Sequence, residues 1–187
     1  MRHYNNYGIV VNKNRKYNPD EFKNFKYTKI TSTDGRDIFI EETTNIQFNN
    51  LKSEIKEYGI NIGIKHALRD ENEQSNLYKQ FCDKYGKDYA DKIVCPVGTS
   101  EHHTGLAIDV EIMIDGKWIT NNEHIEITEP ILRKIHPYLP KYGFILRYPK
   151  GKEKITGIAY EPWHIRYVGI NLAEYLNKNN LLLDEIK

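Results

Sequence analysis

The stretch Leu106-Ala107-Ile108-Asp109-Val110-Glu111-Ile112-Met113-Ile114 is mostly apolar, carries two carboxylates and runs straight into Asp115-Gly116. Asp-Gly between apolar runs is a strong tight-turn signal, so a hairpin over about residues 106–120 is expected. A lone carboxylate on so apolar a strand is expensive to bury. Asp109 must therefore be hydrogen-bonded, paired with a cation or bound to metal.

Around this hairpin the spacing predicts a mixed architecture. Ile9-Val10-Val11 reads as a short strand, and Tyr17-Asn18-Pro19-Asp20 and Thr33-Asp34-Gly35-Arg36 read as turns. Thr43 or Thr44 is expected to cap a helix that turns Ile46, Phe48, Leu51, Ile55 and Tyr58 toward the core and stops at Gly59. Ile60 to Ile64 alternates like a strand. Asp70 suits the cap of a second helix carrying Gln74, Leu77, Tyr78 and Phe81, which ends near Tyr85-Gly86. A third helix, about Glu129 to Tyr142, is interrupted by Pro137 and Pro140; Gly143 then releases a strand over Phe144 to Tyr148, with another strand after Thr156. Helices and strands are segregated, which predicts an α+β fold with an antiparallel sheet backed by helices. No repeat, low-complexity tract or linker divides the chain, so residues 1–187 read as one domain with an irregular N-terminal arm over about 1–40.

Charge and cysteine content narrow the function. With 27 Lys+Arg against 26 Asp+Glu in 187 residues, the net charge is +1, too small for a protein built to hold nucleic acid or an anionic membrane. No apolar run is long enough to cross a bilayer, and Met1 to Asn6 leads into no apolar leader, so the expectation is a cytoplasmic protein. An extracellular or membrane-anchored location is the alternative if a native leader has been removed. Cys82 and Cys95 lack metal or redox spacing and read as buried free thiols. Nothing in the sequence specifies an oligomeric state.

Two polar clusters carry chemistry. Ser100 to Asp109 places imidazoles and a carboxylate on a turn entering the apolar strand, and Tyr160-Glu161-Pro162-Trp163-His164 supplies a second set. Glu161 and His164, three apart, would face opposite sides of a regular strand, so Pro162 is expected to break the strand and turn both into one cleft. Two histidines and a carboxylate are the ligand count of a catalytic zinc, and a spare glutamate suits the base. From residue types alone, a metal hydrolase and a set of hydrogen-bonded histidines beside packing aromatics both fit.

The pair S-x-H-x-x-G-x-A-x-D (Ser100 to Asp109) and E-x-W-H (Glu161 to His164) resembles the signature of the VanY-type D-alanyl-D-alanine carboxypeptidases, zinc peptidases of a fold group with lysostaphin-like and hedgehog-like relatives. Further matches are Ala67 to Gln74, where the family has G-Y-R-S-x-x-x-Q, and Tyr142 to Tyr148, where it has Y-G-F-I-x-R-Y. The resemblance covers about residues 45–170. It implies one Zn²⁺ per chain on His102, Asp109 and His164, Glu161 as the base, Arg69 on the scissile carbonyl, and Ser100 and Gln74 beside the terminal D-Ala. The implied substrates are peptidoglycan stem-peptide precursors or free D-Ala-D-Ala, as in the shorter cytoplasmic members called VanXY that assist vancomycin resistance. Alternatives are a peptidoglycan endopeptidase, an L,D-carboxypeptidase, or a zinc-binding module without turnover. Ala67-Leu68 and Asp70 depart from the family pattern beside Arg69. His66, His103, His124 and His136 read as ordinary polar residues, Arg147 and Arg166 as ion-pairing groups of the sheet, and Glu101 and Glu111 as solvated surface groups, with tuning of the metal strand as their alternative.

Overall fold

A computed structural model describes residues 6–121 and 123–186, so the first five residues of the arm lie outside the described part. Ile9-Val10-Val11 is not a strand. Ile9 and Val11 are buried, but the Ile9 carbonyl that a strand partner would need accepts a hydrogen bond from the Arg166 guanidinium at 2.9 Å. The turn expected at Tyr17–Asp20 is the start of a helical turn, α1 (Pro19–Phe22), whose cap Asn18 accepts from the Asp20 amide. Thr33–Arg36 does turn, joining β1 (Tyr27–Thr31) to β2 (Asp37–Glu41) in a two-stranded antiparallel hairpin.

Helix α2 (Glu42–Glu57) is capped by Glu41 and not by Thr43 or Thr44; the Glu41 carboxylate accepts the Thr44 amide at 2.7 Å. Phe48, Leu51 and Ile55 are buried as expected, whereas Ile46 and Tyr58 are exposed, at 57% and 60%. Ile46 lies two residues before Phe48, about 200° around the helix, on the outer face. Strand β3 (Asn61–His66) leads to α3 (Glu71–Tyr85), which has a full capping box between Asp70 and Glu73 and stops at Gly86. A short helix that the sequence pattern did not reveal, α4 (Lys87–Ile93), comes immediately after it.

The predicted hairpin is β4 (Ala107–Ile114) and β5 (Lys117–Ile119). Asp115 and Gly116 both take positive φ, 48° and 76°, as a tight primed turn requires. Helix α5 (Ile125–Ile135) begins before the expected Glu129, and Pro137 and Pro140 break the next stretch of chain into two 3₁₀ turns. After β6 (Phe144–Leu146) come a helical turn α6 (Glu153–Thr156), β7 (His164–Tyr167), α7 (Ile170–Asn179) and a 3₁₀ turn at Leu183–Glu185.

The main sheet is antiparallel, in the order β3-β4-β7-β6, with β5 also on β4. Strand β4 is central: β3 takes one edge, while β7 and β5 share the other, at Ala107–Asp109 and Ile112–Ile114 respectively. Ile108, Val110 and Ile112 join Phe48, Leu51 and Ile55 in the core, so alternation sends Ala107, Asp109 and Glu111 to the opposite face. The fold is α+β, as expected. Among the described residues no helix is long and apolar enough to cross a membrane.

Candidate active site

The register of three strands builds the site. Asp109 on β4 pairs across one edge with His66 on β3 and across the other with His164 on β7. Residues directly opposite in antiparallel strands project to the same face, so His66, Asp109 and His164 form one row. The His66 Nδ1 and His164 Nδ1 atoms each lie 3.2 Å from an Asp109 carboxylate oxygen.

His102 comes from the loop before β4. The Ser100 hydroxyl accepts the His102 amide at the start of a 3₁₀ turn (Glu101–Thr104) that closes at Gly105 with φ 67°. A Cβ at Gly105 would stand 2.6 Å from the Tyr27 ring, so a larger residue there displaces the turn. The His102 Nδ1–H donates to the Ala67 carbonyl at 2.7 Å, an oxygen that can only accept. This leaves the Nε2 lone pair facing Asp109 Oδ2 at 3.3 Å.

Candidate ligand atoms of His102, Asp109 and His164 all lie within 4.8 Å of one another. Two ligands at about 2.0–2.1 Å from a tetrahedral metal stand about 3.3–3.4 Å apart; His102 Nε2 is 3.3 Å from Asp109 Oδ2 and His164 Nδ1 is 3.2 Å from the other oxygen, Oδ1. The donor set, two imidazole nitrogens and a carboxylate oxygen, is that of a catalytic zinc with one open position. The residues therefore fit such an ion. Burial pulls the His102 imidazole down to about 4, outweighing the neighbouring Asp109 charge, so this ligand is neutral; for His164 burial is outweighed by the carboxylates of Asp109 and Glu101, which among the protein's own groups push its imidazole up to about 9.

Pro162 acts as expected. The bend before β7 is held by the Glu161 amide donating to the Tyr148 carbonyl at 3.1 Å and by His136 Nε2–H donating to the Pro162 carbonyl at 2.8 Å. It turns Glu161 inward, 3.7 Å from His164 Nδ1. Burial pushes the Glu161 carboxyl up to about 8; His164 opposes this, Asp109 adds to it and Arg69 opposes it. Arg69 sits just before α3, where its amide donates to the His102 carbonyl at 3.1 Å and its own carbonyl accepts from His103 Nδ1–H at 2.8 Å. Its guanidinium donates to the Gln74 side-chain oxygen at 3.1 Å and lies 3.6 Å from Asp109 Oδ2. Gln74 in turn donates to the Cys95 carbonyl at 2.6 Å.

All seven residues singled out in the sequence, Gln74, Arg69, Ser100, His102, Asp109, Glu161 and His164, line one cleft of about 130 Å³. Phe81, Ile93 and Ile158 are among the apolar residues of its lining. Sequence pattern alone missed His66, which the β3 register places against Asp109. Its signal is the position at the end of a strand that pairs with the carboxylate strand. Glu101 and Glu111, expected at the solvated surface, are 1% and 2% exposed. Glu111 accepts from the Thr33 hydroxyl at 2.5 Å and ties the first hairpin to the sheet, while Arg147 and Arg166 pair with Glu101. Cys82 and Cys95 are free and only half-buried.

A family model described as VanY, D-alanyl-D-alanine carboxypeptidase, matches residues 37–170. A D-alanyl-D-alanine carboxypeptidase of Enterococcus faecium is 38% identical over 145 residues, 71% of this chain and 40% of the relative. The bifunctional D-Ala-D-Ala dipeptidase and D-Ala-D-Ala carboxypeptidase VanXYC of Enterococcus gallinarum is 35% identical over 130 residues, 66% of this chain and 65% of that protein. These matches thus span less than two thirds of either relative's length. Among solved structures, a vancomycin-resistance D,D-pentapeptidase VanY from a VanB-type cassette, in complex with Zn(II), superposes with a TM-score of 0.77 at 27% identity, covering 96% of this chain and 97% of that one.

Proposed function

The chain belongs to the VanY family of D-alanyl-D-alanine carboxypeptidases, and from that premise we propose that it is a zinc-dependent D,D-carboxypeptidase. Its substrates are peptidoglycan stem-peptide precursors ending in D-Ala, and free D-Ala-D-Ala. The observation that carries this reading is the meeting of His102, Asp109 and His164 within 4.8 Å, with the spare carboxylate of Glu161 beside them.

His102 Nε2, an Asp109 oxygen and His164 Nδ1 would hold one zinc ion. When bound, zinc supplies Lewis acidity, polarising a carbonyl oxygen and lowering the pKa of water. Glu161 takes the proton of the attacking water and hands it to the leaving amine. Burial, opposed by the His164 and Arg69 charges, pushes its carboxyl up to about 8, close enough to neutral pH for one group both to accept and to donate a proton. Arg69, held by Gln74, directs a permanent charge at the oxygen that becomes negative. Ser100 and Gln74 line the place of the terminal D-Ala; both polar ends of the Gln74 amide are engaged by protein, so it acts there through Arg69. Two free cysteines support a reducing, cytoplasmic setting.

The test is D-Ala release by zinc-loaded protein from free D-Ala-D-Ala and from a muramyl pentapeptide ending in D-Ala-D-Ala, with an L,D-linked tetrapeptide in parallel. Release from the first two is expected, and Glu161→Gln should keep zinc while losing roughly 10²–10⁴-fold in rate. Release from the tetrapeptide alone would make it an L,D-carboxypeptidase. Release from none of the three, with zinc bound, would leave a binding module.

A further inference from the structure

Behind His164, on the side away from the cleft, lies a closed ionic cluster. Glu101 is fully buried; its Oε1 accepts from Arg147 Nε at 2.7 Å and from Arg166 at 2.9 Å, and both arginine side chains are also fully buried. Arg147 grips Asp184 with two nitrogens, at 2.5 and 3.0 Å, and Asn12 donates to the same carboxylate at 2.8 Å. Arg166 donates to the backbone carbonyls of Tyr7 and Ile9 at 3.0 and 2.9 Å. Two cations and two anions balance, and every arginine contact has a partner that suits it.

The other oxygen of Glu101, Oε2, is buried without a hydrogen-bond partner, and so is the Nε2 of His164. These two atoms face each other at 3.7 Å, just outside hydrogen-bond reach. A histidine that ligates metal through one ring nitrogen characteristically gives the proton on the other to a carboxylate, which orients the ring and raises its basicity. His164 turns Nδ1 toward Asp109, so its Nε2–H is the proton left for Glu101. Its ring is also confined by Tyr148, with ring centroids 4.8 Å apart.

We infer that Glu101 is a positioning residue for His164, and that the two ends of the chain set it: Asp184 through Arg147, and the Tyr7–Ile9 segment through Arg166. Tyr7, Ile9, Asn12 and Asp184 all lie outside residues 37–170, the part that the family model matches. Among the described residues, Tyr7, Ile9, Asn12 and Asp184 do not line the cleft. They hold the carboxylate that supports a metal ligand from behind. The inference rests on the metal reading of His102, Asp109 and His164.

The experiment compares wild type, Glu101→Gln and Asp184→Asn as metal-free proteins titrated with zinc against a chromophoric chelator, and as Co(II)-substituted proteins by visible absorption. Glu101→Gln should bind zinc roughly 10- to 100-fold more weakly, and Asp184→Asn, which acts one step further out, several-fold more weakly. The Co(II) bands should shift in both. A cluster that only holds the fold together would lower the melting temperature of the metal-free variants and leave zinc affinity and the Co(II) spectrum as in wild type, which would overturn the inference. Should Glu101→Gln fail to fold, Asp184→Asn decides alone, by the same two readouts. A wild-type chain that takes up no zinc sinks the metal reading and this one together; equal affinity in wild type and variants sinks only this one.

Discussion

Arg69 and Gln74 form a pair whose energetics can be worked from their contacts. The guanidinium donates to the Gln74 oxygen at 3.1 Å while its other nitrogen faces Asp109 at 3.6 Å. A lysine at this position has one compact charge and cannot keep both directions. Loss of a donor aimed at a developing oxyanion costs about 2.7–4 kcal/mol, so Arg69→Lys should lower kcat roughly 10²- to 10³-fold with zinc retained. Gln74→Met removes the side-chain bonds at similar volume. A hydrogen bond to a charged group contributes about 1.5–3 kcal/mol, so this variant alone should lower kcat by one to two powers of ten, roughly. Because Gln74 works through Arg69, the double variant should be no slower than Arg69→Lys, and the coupling energy should equal the whole effect of Gln74→Met. The assay is steady-state D-Ala release for the four proteins of the cycle, each checked for zinc content and a cooperative melt. Additive losses, or a Gln74→Met effect confined to KM, would refute the reasoning and put Gln74 in direct contact with substrate.

The geometry fixes three other outcomes. Removing metal with a chelator should abolish turnover, and restoring zinc to a thousandfold above its Kd should add about 4 kcal/mol to folding stability; calorimetric melts with and without zinc that coincide would show that the native fold holds no metal. Gly105→Ala, at φ 67° with a Cβ that would stand 2.6 Å from Tyr27, should cost more than about 1 kcal/mol in urea unfolding and weaken zinc binding by moving His102. Burial works against the Asp34 carboxylate, but hydrogen bonds from Ser32, Arg36 and Lys65 hold it well below the usual range. A depressed carboxylate stabilises fully above its unfolded pKa of about 3.9 and loses that contribution as pH falls through the folded value. The stability difference between wild type and Asp34→Asn should thus shrink from pH 4 downward; a difference independent of pH across that range would remove Asp34 from the acid response.

Where local chemistry decides, the fold was legible. Asp115-Gly116 dictated a turn, Asp70 with Glu73 a capping box, and a carboxylate on an apolar strand a partner for Asp109. Pro162 likewise announced the bend that aims Glu161. The failures depended on distant residues. Glu41 displaced the better-ranked threonines as cap because it is buried within reach of both the Thr44 amide and the Tyr7 hydroxyl, 34 residues away. Glu101 looked like a surface residue because the arginines that neutralise it lie 46 and 65 positions later. The place of His66 beside Asp109 appears only once the register of β3 against β4 is set.

That register has a consequence for how the chain matures. The carboxylate of Asp109 and the imidazole of His164 come from positions 55 apart in the chain and meet only when β7 docks on β4 in one alignment. A slip of a single residue would offer Ile165 or Trp163 to Asp109 and send the imidazole to the other face. A cation shared by the two strands would therefore bind one alignment and ignore its neighbours, proofreading the pairing of β7 against the centre of the sheet. Metal supplied during refolding should raise the yield of correctly paired molecules as well as switch on the finished ones.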